Sequence, residues 1–183
     1  MAKPQPRPAT APSPLIAEGR LDREAVSAAL WLCLDQLIPK THLDLTYEVR
    51  LENSQADPGY EHPEVSVIFA GRDHELLLER NAELLQALEY VALRWIRLDP
   101  RSYDRVRFDA AGYRTLRIEE LRLSASLAAE RVRETRAAFR FNPMSPRERR
   151  IVHLALKDEV GIRTASEGEG DERQVVIFPT DVK

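Results

Sequence analysis

Cysteine is nearly absent from this sequence, which contains only Cys33 among its 183 residues. A single cysteine excludes a disulfide within the chain and agrees with a reducing compartment. It also excludes zinc sites built on paired cysteines, and His42, His62 and His74 have no partners at metal-ligand spacing. We therefore expect no metal and no cofactor. No catalytic nucleophile with its base is marked either, so we do not expect an enzyme.

Long apolar runs are also missing. No stretch approaches the roughly 20 apolar residues that a membrane-spanning helix needs, so we expect no membrane insertion. Residues 1–14 carry five prolines and lack the apolar core of a signal peptide. Because this segment has little to bury, we expect a disordered tail, which would also suit a protein that reads proline-rich sequences. These features predict a cytoplasmic protein.

Positive charge is scarce overall, with a net charge of −3, but it is unevenly distributed. Residues 1–110 carry 13 Lys and Arg against 18 Asp and Glu, whereas residues 111–183 carry 14 against 12. Phosphate responds to local potential and not to net charge. The charge pattern alone leaves open whether the basic part binds nucleic acid or is an ordinary solvated face.

Hydrophobic periodicity predicts two α+β units, after the tail at residues 1–14. The first unit covers residues 15–110 and reads as helix, strand, strand, helix, helix, strand. The second covers residues 111–183 and begins with a long helix from Tyr113 to about Arg136. After a short strand, Ser145, Pro146 and Glu148 form a clear helix start, with an N-cap and a capping box. That helix is expected to run to about Lys157, and two strands close the chain.

The helix that starts at Ser145 separates a basic front from an apolar back. At 100° per residue, its positive side chains fall within about a third of the circumference. They are Arg149, Arg150, His153 and Lys157, opposite Ile151, Leu154 and Ala155. A planar guanidinium and an imidazole one turn apart can each meet a phosphate oxygen. A surface helix with an incidental Arg–His pair remains the alternative at this point.

The sequence also resembles a known family. Residues 149–153, RRIVH, match the Arg-x-x-x-His signature of the R-3-H domain, a small single-stranded nucleic-acid-binding fold. NPMSPRERRIVHLAL and TASEGEGDERQVVI resemble the C-terminal end of the Jag (SpoIIIJ-associated) family, and FDAAGYRTLRIEEL resembles its linking helix. VIFAGRDHELLLERNAELLQALEYV resembles its KH domain. The resemblance spans roughly residues 20–180 and implies a KH-like unit of type II (α-β-β-α-α-β) followed by an R-3-H unit.

This resemblance implies binding of single-stranded RNA, or of single-stranded DNA, with low sequence specificity. It places Arg149 and His153 in the signature positions, Arg150 at the second arginine, and Arg173 at the arginine before the last strand. Lys157 and Arg163 are added from geometry and charge alone. Phe139 and Phe141 lie near the basic cluster and are candidates for stacking on bases or for packing in the core.

The KH-like unit departs from its family at the Gly-x-x-Gly loop, which grips the nucleic-acid backbone. The loop falls on Glu79, Arg80, Asn81 and Ala82, so both glycines are missing. Glu79 sets a negative charge where phosphate should lie, and Ala82 is expected to add a Cβ at the closest approach. The two flanking helices might even be continuous. The loop is therefore expected to be inactive, and a protein-interaction scaffold without nucleic-acid binding is the rival function.

Overall fold

The computed structural model describes residues 15–17, 20–52 and 63–180, so the predicted tail at residues 1–14 lies outside the described residues. The chain divides into two compact units, the first ending at Tyr113 and the second beginning at Arg114. Helices and strands are mixed in both units, which confirms the predicted α+β class.

The first unit is built around a three-stranded sheet. β3 and β4 pair antiparallel, and β4 and β5 pair parallel, which gives the sheet order β3-β4-β5. Its core contains Phe69 and Phe108 from adjacent strands, with ring centroids 5.5 Å apart. The elements of this unit are β1 (Ile16–Ala17), β2 (Arg20–Leu21), α1 (Arg23–Thr41), β3 (Thr46–Leu51), β4 (Val65–Ala70), α2 (Glu79–Trp95) and β5 (Val106–Ala110).

The helical stretch before β5 is interrupted, so the expectation that its helices might be continuous is wrong. A 3-10 helix at His74–Leu78 precedes α2, and three successive residues then adopt left-handed backbone conformations. Arg80, Asn81 and Ala82 have φ values of 51°, 59° and 59°. The chain therefore makes a tight left-handed turn where the family has its glycine loop, although no glycine is present.

The second unit places helices against an antiparallel sheet of order β6-β8-β7. Three consecutive residues of the central strand, Val175, Val176 and Ile177, are fully buried. Since consecutive strand residues point to opposite faces, both faces of β8 are covered. The elements are α3 (Tyr113–Thr135), β6 (Phe139–Arg140), α4 (Pro146–Ala155), β7 (Ile162–Glu167) and β8 (Gln174–Pro179).

Two further features are missing from the described part of the chain. Within it, no helix combines the length and the apolar character that crossing a bilayer requires. The same residues contain no group of three or more His, Cys, Asp or Glu side chains placed to hold a metal ion.

Candidate nucleic-acid interface

The start of α4 is fixed by the capping box that the sequence predicts. Ser145 Oγ accepts from the Glu148 backbone N–H at 3.3 Å, and Glu148 Oε2 accepts from the Ser145 N–H at 2.9 Å. Glu148 also accepts from Arg117 Nε of α3 at 2.8 Å. Burial alone would raise the pKa of Glu148, but the hydrogen bonds from Arg117 and Ser145 outweigh it and lower the pKa. Glu148 is therefore a buried anion that anchors the first helical turn.

The buried face of α4 is offset from the predicted one. Glu148, Ile151 and Val152 are buried, which is a stripe of i, i+3 and i+4 that begins at the capping glutamate. Leu154, which was predicted on the apolar back, is 37% exposed. The helix also ends at Ala155, two residues before the predicted end at Lys157.

Arg149 follows Glu148 directly and is only partly exposed. Its Nε atom is buried and has no hydrogen-bond partner. Burial, and then the positive charge of Arg173, lower the pKa of the Arg149 guanidinium from its usual range. Among the described residues, no carboxylate forms an ion pair with Arg149 or Arg173. Two guanidinium groups thus lie within electrostatic reach of each other, and one of them carries a buried, unused donor.

His153 lies one turn further along α4 and is held by two hydroxyl groups of β7. Its Nδ1 lies 2.7 Å from Thr164 Oγ1, and its Nε2 lies 2.9 Å from Ser166 Oγ. Burial and the charge of Arg149 lower the pKa of His153 from its ordinary value. The imidazole is therefore neutral near pH 7, and both of its nitrogens face hydroxyl groups.

The register of the sheet explains why these side chains converge. Ser166 is opposite Val175, so Arg173, two residues before Val175, belongs to the same face of the sheet as Ser166. The hairpin between β7 and β8 is tight at Gly168, where a Cβ would lie 2.6 Å from the Glu172 carbonyl oxygen. This turn fixes where Arg173 enters β8, beside the helix that carries Arg149 and His153.

The other predicted contact residues are more dispersed. Arg150 is exposed on α4, and Lys157 is exposed beyond the end of that helix. Arg163 lies on the opposite face of β7 from Thr164, with its guanidinium 4.2 Å from the Phe178 ring centroid. The geometric grouping of Arg163 with Arg149 and His153 is therefore not supported, and an RNA contact by Arg163 stays a prediction.

An apolar cleft of about 430 Å³ lies beside β6, at the C-terminal end of α3. Phe139 contributes an aromatic wall and contacts Phe141 edge-on, with ring centroids 5.1 Å apart. Arg131, exposed on α3, also lines the cleft. The complete lining is Arg131, Thr135, Ala137, Ala138, Phe139 and Arg140.

In the first unit, the left-handed turn presents Glu79, Arg80 and Asn81 to solvent. Gln86 Nε2 donates to the Asn81 carbonyl oxygen at 2.9 Å and supports the turn from the helix that follows. Ala82 is fully buried, so the expectation that its Cβ would obstruct a phosphate is wrong. The exposed carboxylate of Glu79 remains as the obstacle to an anion.

Sequence reasoning missed Thr164 and Ser166. The available signal was alternation, since Thr164 and Ser166 share one face of β7 while Arg163 and Glu167 share the other. Nothing local connects these hydroxyls with His153, which is 11 and 13 residues away in the chain. Only the folding of β7 beneath α4 brings them together.

Comparison with known proteins agrees with this geometry. Residues 119–179 match the family model of the R-3-H domain, which includes the whole candidate site and confirms the predicted R-3-H unit. RNA-binding protein KhpB of Clostridium symbiosum is 33% identical over 114 residues, which is 62% of this chain and 51% of that protein. RNA-binding protein KhpB of Bacillus subtilis (strain 168) is 34% identical over 111 residues, or 60% and 53%.

The chain thus spans about half the length of the curated relatives that it matches. The aligned stretches are longer than the segment that matches the R-3-H domain, and the predicted resemblance to the Jag family is confirmed by these relatives. Both relatives are named for binding and not for catalysis. A KH domain in the first unit remains a prediction, although that unit has the predicted order of helices and strands.

Proposed function

We propose that this chain binds single-stranded RNA through the surface formed by Arg149, His153 and Arg173, here called the α4 phosphate site. The observation that carries the proposal is the buried Nε of Arg149, which lacks a partner beside a second guanidinium. The names of the two relatives support RNA as the ligand class. We expect no catalytic activity from this site.

The electrostatics of the site favour a bound anion. Arg149 and Arg173 repel each other, and burial makes the Arg149 charge more costly. A buried donor without a partner forfeits roughly 1–3 kcal/mol. A phosphate oxygen placed between the two guanidinium groups would satisfy the donor and turn a repulsive pair into two attractive ones.

Additional contacts extend from this centre. The exposed side chain of Arg150 and that of Lys157 are available for neighbouring phosphates. The cleft beside β6 offers the Phe139 ring to a base, and a ring stacks on any base with little regard to its identity. Backbone contacts and stacking together give weak sequence preference.

The turn at Glu79–Ala82 contributes less in this proposal. Its backbone is left-handed, but the exposed Glu79 carboxylate opposes a phosphate, and Arg80 is a single exposed cation. The first unit is then a scaffold or a surface for a protein partner, as the proline-rich tail would also be.

The test is a binding titration of the full chain with a fluorescent single-stranded RNA at several salt concentrations. Each phosphate neutralised on a single strand contributes about −0.7 to the slope of log affinity against log salt. The double variant Arg149→Gln, Arg173→Gln should lose more than about tenfold in affinity and show a shallower slope. Arg101→Gln is the matched control, because Arg101 is an exposed cation of the first unit that pairs with Asp99.

Wild-type binding by the double variant would reject the α4 phosphate site. An affinity of the unsubstituted chain that does not change with salt would reject the electrostatic mechanism. The same titration with single-stranded DNA of equal sequence measures how far the chain prefers RNA.

A further inference from the structure

We propose that the hydroxyl groups of Thr164 and Ser166 are hydrogen-bond donors to the bound phosphate, and that His153 is a positioning residue that controls them. This inference rests on the proposed function and assigns to His153 an indirect role. The imidazole acts on the ligand through the two hydroxyls and not by replacing them.

The argument begins from how many protons the three groups share. A neutral imidazole has one N–H donor and one lone-pair acceptor, and a hydroxyl has one hydrogen and two lone pairs. Since the two ring nitrogens contact Thr164 Oγ1 and Ser166 Oγ, one hydroxyl must donate to the ring while the other accepts from it. Only the accepting hydroxyl keeps its hydrogen for a third group.

Protonation of His153 changes this count. Both ring nitrogens then donate, so both hydroxyls become acceptors toward the ring and both keep their own hydrogen free. One proton on the imidazole thus adds a second hydroxyl donor to the surface, together with a positive charge. The triad of His153, Thr164 and Ser166 can convert an added proton into an added phosphate contact.

The position of the hydroxyls suits this role. Thr164 and Ser166 are only partly buried, so a ligand can reach them. They lie on the sheet face to which Arg173 belongs, and His153 lies one helical turn from Arg149. A phosphate held by the two guanidinium groups is therefore beside the two hydroxyls.

The charges that face His153 from the surrounding elements are all positive. On its own helix Arg149 precedes it by one turn and Lys157 follows, and Arg173 enters from β8. On β7 the charged Arg163 and Glu167 alternate with the triad hydroxyls and so point to the other face. In the described chain, no carboxylate is paired with the imidazole. A bound phosphate would reverse this local potential and raise the pKa of His153, so that RNA binding takes up a proton.

The test compares RNA affinities between pH 5 and pH 8 at constant ionic strength. The probe is an oligoribonucleotide without a terminal phosphate, because a terminal phosphate titrates near pH 6. Two pairs of variants isolate the hydroxyls. Ser166→Ala and Thr164→Val remove one hydroxyl each, whereas Ser166→Thr and Thr164→Ser retain it while changing the methyl group. Ser124→Ala, an exposed serine of α3, is the control.

We expect wild-type affinity to rise as the pH falls below the ordinary histidine value of about 6.5. The ratio of wild-type affinity to that of Ser166→Ala or Thr164→Val should grow over the same range, to about tenfold at pH 5, the size of one hydrogen bond to a charged group. The hydroxyl-retaining variants should recover the wild-type pH profile. A purely structural loss would lower affinity by a factor that does not vary with pH.

The outcomes separate this inference from the proposed function. If Ser166→Ala and Thr164→Val bind RNA as the wild type does at every pH, while the Arg149→Gln, Arg173→Gln variant does not bind, the hydroxyl inference fails and the function stands. A reduction that is constant with pH also overturns it. Failure of the wild type to bind RNA overturns both. Calorimetry in two buffers with different ionisation enthalpies measures the proton uptake directly, and zero uptake at pH 6 would contradict the role of His153.

Discussion

Glu148 of α4 accepts a hydrogen bond from Arg117 of α3 at 2.8 Å, and this contact joins the two helices of the second unit at the first turn of α4. The same carboxylate closes the capping box with Ser145. Because Arg149 is the next residue, the anchored turn also determines where its guanidinium lies. The candidate site thus depends on a buried carboxylate that has no role in binding RNA itself.

Glu148→Gln should lower the free energy of unfolding by about 1–3 kcal/mol, because the amide keeps the shape but weakens charged hydrogen bonds at a buried position. Denaturant titration measures the change. Glu119→Gln removes an exposed carboxylate of α3 that pairs with Arg122, and should change the stability by less than about 0.5 kcal/mol. Equal effects of the two substitutions would show that Glu148 is not an anchor.

The same carboxylate makes a contribution that depends on pH. Its folded-state pKa is lowered, so the unfolded state binds the proton more readily. The contribution is therefore complete above the unfolded glutamate value of about 4.3 and is lost as the pH falls through the folded value. Unfolding measured from pH 6 down to pH 3 should show a steeper loss of stability for the wild type than for Glu148→Gln. Parallel curves would contradict this origin.

The left-handed turn in the first unit carries a cost that glycine would relieve. A residue with a side chain pays roughly 1–2 kcal/mol in this conformation, whereas glycine loses backbone entropy instead. Arg80→Gly should therefore raise the free energy of unfolding by about 0.5–1 kcal/mol. Arg94→Gly, on the regular part of α2, should lower it by about 0.5–1 kcal/mol. The prediction fails if both substitutions destabilise the protein equally.

Phe139 should contribute to RNA affinity without contributing to its salt dependence. Phe139→Leu should weaken binding about fivefold or more, since stacking of a base is worth roughly 1–3 kcal/mol. The slope against log salt should stay at the wild-type value, because no phosphate contact is lost. Phe178→Leu is the control, on a ring that Arg163 covers. A change of slope, or equal losses for both substitutions, would argue against stacking at Phe139.

The parts of this structure that local chemistry determines were predictable from the sequence. Ser145, Pro146 and Glu148 predicted the start of α4, because a capping box depends on residues three apart. The α+β class followed from periodicity. The turn at Arg80–Ala82 was not foreseen, because left-handed backbone usually announces itself with glycine, and the surrounding packing imposes it here on other residues.

The polar detail of the candidate site depended on contacts between distant segments. The sequence placed His153 on an exposed basic front, but β7 supplies Thr164 and Ser166 to both of its nitrogens. The proximity of Arg173 to Arg149 likewise required the hairpin at Gly168 to close. A helical wheel shows which side chains share a face, but not which strand packs against it.

The most direct test of the account follows the Nε–H resonances of the arginine side chains by NMR while single-stranded RNA is added to the full chain. Arg149 is assigned through Arg149→Lys, and Arg80, in the turn of the first unit, through Arg80→Lys. The account predicts that the Arg149 Nε–H, buried and without a partner in the free protein, shifts and saturates in step with RNA binding. If RNA binds while the Arg149 resonance stays in place and the Arg80 resonance moves, the α4 phosphate site is contradicted.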